Sequence, residues 1–367
     1  MNKKRILFVI PNLSYGGAER QSVTIARLLA SSGYEVSFIT YFQNEAFVDL
    51  LEEAGIRVDS IICNGLMRVI NVYHFIHRGH FDVVISFMQT PNFLNNFSAL
   101  IGKKWKVITS IRATPRQTEL QSIQGKIYNY FYRKSDIIVC NSDNTLKVFA
   151  NINPVCGQKL KTIYNAVQLG KISSVYRIRK DNRVNIVVAA TVSNIKNPRG
   201  LLDAIILMND DERKHLHIDW YGRRESVIGD HSEYDKVVEC IEINHLQDVI
   251  SLHDSTREIA SIMNKADCVA LFSRLEGLPN AICEGMMLGK PIIMTRCSDY
   301  DILVEDGKNG FLCIWDNPES IKVALMKLSN LSVGRLVEMG RMSKKKAQML
   351  FSEDSISNKW IKIIEGN

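Results

Sequence analysis

Two glutamates eight positions apart, Glu276 and Glu284, are the residues of this chain whose type and spacing best suit chemistry. Glu276 sits in a turn rich in Gly and Pro, Ser273-Arg-Leu-Glu-Gly-Leu-Pro-Asn280. Glu284 falls within residues 281–288, whose other members are small or apolar. That stretch reads as a buried helix entered after Pro279-Asn280 and ended by Gly289 and Pro291. An ionised carboxylate in such a helix is costly unless a neighbouring Arg or the donors of a ligand satisfy it. An ammonium group lies upstream, in Thr191-Val-Ser-Asn-Ile-Lys-Asn-Pro-Arg199, a strand-to-helix turn. Lys196 there would meet phosphate oxygens over a helix N-terminus, unless it is a solvated loop lysine. The turn Pro11-Asn-Leu-Ser-Tyr-Gly-Gly-Ala-Glu-Arg20 is its counterpart near the start. Gly16 and Gly17 would let backbone N–H groups approach an anion, although a plain tight turn reads the same way.

Positioning such groups requires strands that end where the turns begin. In the first half, residues 5–10, 35–40, 58–62, 82–87, 106–110 and 136–140 are apolar β-type runs, with helical segments at 18–32 and 47–54. The pattern pauses at 168–183. It restarts with strands at 184–190, 216–220, 249–252, 268–272 and 291–295 and helices at 199–208 and near 234–244. Strand–helix alternation with short Gly-marked joints means a parallel, doubly wound α/β sheet. The chain thus predicts two Rossmann-like domains, 1–168 and 184–345, joined by a linker at 169–183. They are expected to face each other across a cleft, with ligands at the carboxyl ends of the strands. Residues 346–367 read as a final helix that could pack on either domain or cross back to the first.

Length and composition agree. A chain of 367 residues exceeds the roughly 250–300 that one core supports. Hydrophobic content of 46% and charged content of 23% describe an ordinary soluble globular protein. The eight cysteines are scattered, with no Cys-x-x-Cys pair and no His partners at metal spacing, as in a reducing cytosol. No apolar run approaches the about 18 residues that span a bilayer, and the run 6–10 stops at Pro11, too short for a signal peptide. A cytoplasmic location is expected. The net charge of +7 is uneven: residues 1–170 carry 19 Lys and Arg against 11 Asp and Glu, residues 171–367 carry 27 against 28. The first half is therefore expected to meet something anionic, beyond what solubility needs.

With seven residues between them, Glu276 and Glu284 resemble the Glu-x7-Glu signature of the family-4 retaining glycosyltransferases. Glu276-Gly-Leu-Pro-Asn280, Gly289-Lys-Pro-Ile-Ile-Met-Thr295 and Glu305-Asp-Gly-Lys-Asn-Gly-Phe-Leu312 follow the order of that family. Gly16-Gly-Ala-Glu19, Asp219-Trp-Tyr-Gly-Arg223 and Thr162-Ile-Tyr-Asn165 are also similar to its segments. The resemblance implies the GT-B fold, two Rossmann-like domains with a nucleotide-sugar held mainly by the second. It implies that Glu284 holds the ribose hydroxyls and that Glu276 faces the donor sugar near the reacting carbon. The backbone from Gly277 through Leu278 and Pro279 to Asn280 would bind sugar hydroxyls or phosphate. Lys196 would neutralise the diphosphate as the glycosidic bond breaks, without a metal. Gly17, with Gly16, would bring the first domain's backbone against diphosphate and acceptor.

The chain departs from the family where an Arg usually stands five residues before the Lys; here that residue is Thr191. Arg223 and Arg199 are the candidates to replace its charge. A family His in the first domain has no match around Ser86-Phe-Met-Gln-Thr90, and His74, His77 and His80 just upstream read as surface residues. Asp299-Tyr-Asp301 imitates the Asp-x-Asp metal site of the other glycosyltransferase fold but lies in a loop of the wrong context, so no metal site is expected. Residues 66–78 and 124–134 mix basic with apolar and aromatic side chains, a pattern that fits either packed amphipathic helices or an anionic membrane surface. Arg112 and Arg116, after a strand end, could face a phosphorylated acceptor.

Together these imply a retaining glycosyltransferase with no cofactor or metal. It would move a sugar from a nucleotide-diphosphate-sugar to a glycan acceptor, polyprenyl-diphosphate-linked, in bacterial surface polysaccharide (lipopolysaccharide or capsule) biosynthesis. It would work in the cytoplasm or as a peripheral protein on the membrane's inner face, with no nucleic-acid partner. The alternatives are a nucleotide-sugar epimerase or phosphorylase of the same fold, or a non-catalytic nucleotide-sugar-binding protein. Donor sugar, nucleotide base, acceptor linkage and oligomeric state are not encoded in these motifs.

Overall fold

The computed structural model describes residues 3–14, 16–43, 46–115, 122–169, 172, 183–225 and 229–366. The chain divides into two compact units, Met1–Ala166 with Glu353–Asn367, and Val167–Ser352. Most of the span read as a linker, 170, 171 and 173–182, lies outside the described residues.

Unit 1 is built on seven parallel strands in the order β3-β2-β1-β4-β5-β6-β7. They are β1 (Arg5–Val9), β2 (Glu35–Thr40), β3 (Arg57–Ser60), β4 (Val83–Phe87), β5 (Lys106–Ile111), β6 (Ile137–Cys140) and β7 (Leu160–Thr162). β4, Val-Val-Ile-Ser-Phe, is buried at every position, as a central parallel strand covered on both faces must be. The order reverses between β1 and β4, the switch point at whose carboxyl edge doubly wound sheets take ligands. Below one face Phe8 stacks with Phe38 at 4.9 Å and with Phe87 at 5.9 Å. The other face carries the helices Gly65–Arg78, Gln89–Ser98 and Ile123–Phe131, with Gln89–Ser98 packed between its neighbours.

Residues 353–365, whose placement sequence alone left open, belong to unit 1. Trp360 is fully buried there and stacks on Phe87 at 6.4 Å. Tyr34 Oη donates to Glu365 at 2.7 Å, and Lys4 pairs with the same carboxylate at 2.5 Å. The boundary drawn at 345 falls inside the helix Val333–Phe351, which continues through it because Ala347 and Phe351 extend its buried stripe.

Unit 2 has six parallel strands in the order β10-β9-β8-β11-β12-β13. They are β8 (Val184–Ala189), β9 (Leu216–Tyr221), β10 (Ile250–His253), β11 (Cys268–Leu271), β12 (Ile292–Thr295) and β13 (Gly310–Cys313). One core runs through it, from Ile186, Val188 and Trp220 on the strands to Leu201, Leu325 and Leu336 on the helices. β9 alternates, with Leu216, Ile218 and Trp220 buried and His217, Asp219 and Tyr221 on the half-exposed face. No helix among the described residues is long and apolar enough to cross a membrane.

Candidate functional site

The turns singled out in the sequence follow strand ends of unit 2, and the local chemistry explains how each is held. After β8 the chain makes a short 3₁₀ turn, Asn194–Lys196, and Asn197 then takes the left-handed conformation, with φ 59°. Asn tolerates that region better than other non-glycine residues. Its Oδ1 accepts from Gly200 N at 3.3 Å to cap the helix Pro198–Ile206, and its Nδ2 donates to the Trp315 carbonyl at 2.8 Å. Lys196 is thereby fixed one residue before a tied cap. Its Nζ lies 2.5 Å from Glu276 Oε1. Ser273 Oγ donates to the same oxygen at 2.6 Å, and Thr295 Oγ1 donates to the Ser273 carbonyl at 2.5 Å. Arg274 N donates to Ile195 O at 2.8 Å, joining the two loops directly. Glu276 keeps only 11% of its side chain exposed, and so close an opposite charge offsets the desolvation of both groups.

Glu284 lies on the helix Asn280–Met287. It is half-buried rather than buried: Ile282, Cys283, Gly285 and Met286 fill the inner face, and position 284 falls at its margin. Glu276, in the turn, is likewise half-buried. Gly285 carries the close approach of this helix to β11, since a Cβ there would lie 2.7 Å from Val269 Cβ. Burial, and then the charges of Glu284 and Asp299, push the Cys283 thiol well above its ordinary value. Burial likewise pushes Cys297 up to about 11, against the Thr295 hydroxyl and with Glu276 close by. Neither sulfur is a thiolate at neutral pH, so neither serves as a nucleophile.

Gly277, Leu278, Pro279 and Asn280 form the approach to this helix, with Leu278 and Pro279 buried and Ser298 Oγ donating to the Gly277 carbonyl. Arg223 follows β9. Its carbonyl accepts from Val192 N at 2.9 Å, and the backbones meet so closely that a Cβ on Gly222 would lie 1.8 Å from the Ala190 oxygen. The backbone at Arg223 thus runs beside Thr191, and its side chain is exposed and, among the described residues, makes no ion pair. Arg199 instead turns along its own helix to Asp203 at 2.8 Å. Asp299 is buried at the start of the one-turn helix Tyr300–Leu303.

In unit 1, Gly16 and Gly17 start the helix Gly17–Ser31, where Glu19 accepts from Ser14 Oγ at 3.3 Å. Arg112, after β5, stacks its guanidinium 4.6 Å over Phe87 and donates from Nη1 to Asn165 Oδ1 at 2.9 Å. Its Nε and Nη2 are out of contact with solvent and, among the described residues, have no hydrogen-bond partner. Burial draws its pKa down to about 9. Arg116 lies outside the described residues. A cavity of about 590 Å³ opens at this edge of the sheet, lined among others by Asn92, Ser110, Arg112, Thr114, Tyr128 and Tyr132. The expectation that three histidines lie at the surface holds for two of them, and His77 is half-buried instead. Its Nε2 lies 3.0 Å from the Ser98 carbonyl and its ring meets the edge of Trp105 at 4.9 Å, whereas His74 and His80 are exposed.

Sequence reasoning missed Ser273, Thr295 and Ser298, the hydroxyls that hold the Glu276 turn, and the stack of Arg274 on Trp315 at 4.8 Å. Ser273 and Thr295 follow or end strands, but no spacing sets them apart from other hydroxyl residues.

Comparison with known proteins agrees in both halves. The family described as "Glycosyl transferases group 1" matches residues 183–330, and "Glycosyltransferase Family 4" matches residues 15–171. A Campylobacter jejuni protein is 24% identical over 98% of this chain and 98% of its own length. It is named GalNAc-alpha-(1->4)-GalNAc-alpha-(1->3)-diNAcBac-PP-undecaprenol alpha-1,4-N-acetyl-D-galactosaminyltransferase. An amylovoran biosynthesis glycosyltransferase of Erwinia amylovora is 22% identical over 83% of this chain and 84% of its own. An Anabaena protein crystallised with UDP and glucose matches with a TM-score of 0.83 at 17% identity, over 99% of this chain and all of its own, which shows a shared fold. Matched in both of its parallel α/β units, the chain belongs to the family-4 glycosyltransferases of GT-B fold.

Proposed function

We propose that the chain is a retaining glycosyltransferase that takes a sugar from a nucleotide-diphosphate-sugar and passes it to a lipid-linked glycan acceptor in bacterial surface polysaccharide biosynthesis. The observation that carries this reading is the contact of Lys196 with Glu276, one helix start away from Glu284. In it, Glu284 accepts from the ribose hydroxyls, and Lys196 exchanges part of its contact with Glu276 for the donor diphosphate. The acceptor hydroxyl attacks the anomeric carbon from the face the diphosphate leaves. The carbon–oxygen bond to the β-phosphate breaks, its electrons go to the nucleoside diphosphate, and the hydroxyl proton passes to the departing phosphate oxygen. Lys196 stabilises the charge that develops there, so the reaction is proposed to need no metal. The named polyprenyl-linked acceptor of the Campylobacter relative supports the acceptor class, and the UDP of the Anabaena structure the donor class. In this reading Arg112, which lines the unit 1 cavity, faces the acceptor.

Glu284→Ala and Lys196→Ala are expected to abolish transfer while leaving the thermal melt within a few degrees of wild type. Full activity in both variants refutes the site. A thermal-shift screen across nucleotide-sugars identifies the donor, because a ligand that binds only the native state raises its apparent stability.

A further inference from the structure

The face of the unit 1 sheet beneath the helix Gly65–Arg78 changes character partway along its strands. Leu7, Val9 and Ile39 are buried there with Val72 and Ile76 of the helix. Toward the amino ends the same face continues as Arg5 on β1, Ser37 and Glu35 on β2, and Asp59 and Arg57 on β3, since alternate residues share a face. These polar positions and the C-terminal part of the helix enclose a cavity of about 730 Å³. Its size falls within the about 300–1,000 Å³ of small-molecule sites. It lies at the opposite edge of the sheet from the cavity beside Arg112, which opens where β4 and β5 end.

Two guanidinium groups are held in place on this floor. Arg5 Nε donates to Glu35 at 3.1 Å, its Nη1 donates to the Gly79 carbonyl at 2.7 Å, and its guanidinium carbon lies 5.5 Å over Phe81. Glycine at 79 permits that arrangement, because a Cβ there would stand 2.1 Å from the Phe81 ring. Arg57 donates from Nε and Nη2 to Asp59 Oδ1, at 3.0 and 2.6 Å. Arg5 Nη2 and Arg57 Nη1 make no hydrogen bond among the described residues. The same holds for the side chains of Ser37, Asn71, His74 and Arg78, which also line the cavity. Each carboxylate of the lining is answered by its own arginine, so the charge of Arg78 is left over. A solvated arginine at a helix C-terminus would account for Arg78 alone. It does not account for a polar floor laid under the row that holds Leu7 and Ile39.

These groups define a ligand. Guanidinium groups take a carboxylate or a phosphate through charged hydrogen bonds, and two that are fixed in advance lower the ordering cost of binding. The Asn71 amide and the Ser37 hydroxyl both donate and accept, as the hydroxyls of a ligand require. Phe75, half-buried and stacked on Phe81 at 6.2 Å, adds an apolar wall against which a ring can lie. We propose that this cavity is a second ligand site, for a sugar that carries one anionic group, a carboxylate or a phosphate. The site goes beyond the transfer reaction, since none of its residues is assigned to donor or acceptor.

Calorimetric titration of the full chain with glucuronate, glucose 6-phosphate, glucose and inorganic phosphate tests it. One of the two acids or both should bind, the tighter one naming the anionic group. Glucose should bind at least about tenfold more weakly, because it makes no charged hydrogen bond. Arg78→Ala should weaken the acid by about tenfold or more, and Asn71→Leu by roughly fivefold. Neither side chain is buried, and an unchanged melt shows that both variants fold. Lys196→Ala and Arg112→Met should bind the acid as wild type does, so that loss of transfer in Lys196→Ala reports on the proposed reaction alone. Three results overturn the proposal: no binding of either acid, binding unchanged in Arg78→Ala, or inorganic phosphate bound as tightly as the better acid.

Discussion

Replacing Gly285 by Ala should separate the stability of unit 2 from its catalytic geometry. The new Cβ would stand 2.7 Å from Val269 Cβ, 2.8 Å from its Cγ2 and 3.0 Å from its Cγ1, all on β11 in the middle of the sheet. Carbon atoms rest at about 3.5–4.0 Å, so the helix Asn280–Met287 has to retreat by about 1 Å. Overpacking of this kind costs about 1–3 kcal/mol, while Ala in place of Gly returns about 1 kcal/mol of helix propensity. The net loss is at most about 2 kcal/mol, a fall of a few degrees in melting temperature. The same retreat displaces Glu284 and the turn that holds Glu276, and a misplacement of about 1 Å can reduce turnover about a hundredfold. Thermal melts and kcat/KM measured side by side make the comparison. Gly334→Ala is the control, because a Cβ there meets nothing within 4 Å. Wild-type turnover in Gly285→Ala would show that the seating of this helix on β11 does not set the site.

Three further outcomes follow from particular contacts. Arg223→Ala should reduce transfer at least tenfold, and Thr191→Arg should restore it in the double variant if the two positions serve one diphosphate; no rescue would separate them. Arg112→Met is expected to raise the melting temperature by a few degrees, because it removes a buried cation with two unpartnered nitrogens, while impairing use of an anionic acceptor; a lower melting temperature would make the guanidinium structural. The Asp219 carboxylate, 3.6 Å from Nε2, raises the pKa of His217 above its usual value. A raised folded-state pKa adds stability below the unfolded value of about 6.5 and loses it as pH rises through the folded one. Melts of Asp219→Asn should lack that fall, and an NMR titration of His217 at its ordinary value in wild type would contradict the assignment.

The strands were legible because central parallel strands are apolar on both faces, and runs such as 82–87 and 268–272 carry that signature to within a residue of β4 and β11. β7 was not, since Leu-Lys-Thr is three residues long with one apolar side chain. β13, Gly310–Cys313, was not read as a strand either: it overlaps Glu305–Leu312, which stood out only by its resemblance to a family segment. Glu276, Glu284 and Lys196 stood out by type and spacing, but their relation did not: that Glu276 is the glutamate held by Lys196 depends on how the two loops meet. His77 misled because its cover, Trp105, is distant in sequence. The state of Arg112 depends wholly on burial, which periodicity does not report for a residue after a strand end.

The return of residues 353–365 to unit 1 has a consequence for synthesis. Unit 2 is one continuous stretch, Val167–Ser352, whereas unit 1 is written in two pieces. On a ribosome the first unit to start is therefore the last to close: unit 2 has all its sequence before Trp360, the buried partner of Phe87, has been made. Until then Phe87 and its neighbours lack their cover, an interval in which exposed apolar surface invites aggregation. A permuted gene that places residues 353–366 ahead of residue 3, next to the Lys4–Glu365 contact, would remove that interval by making unit 1 contiguous.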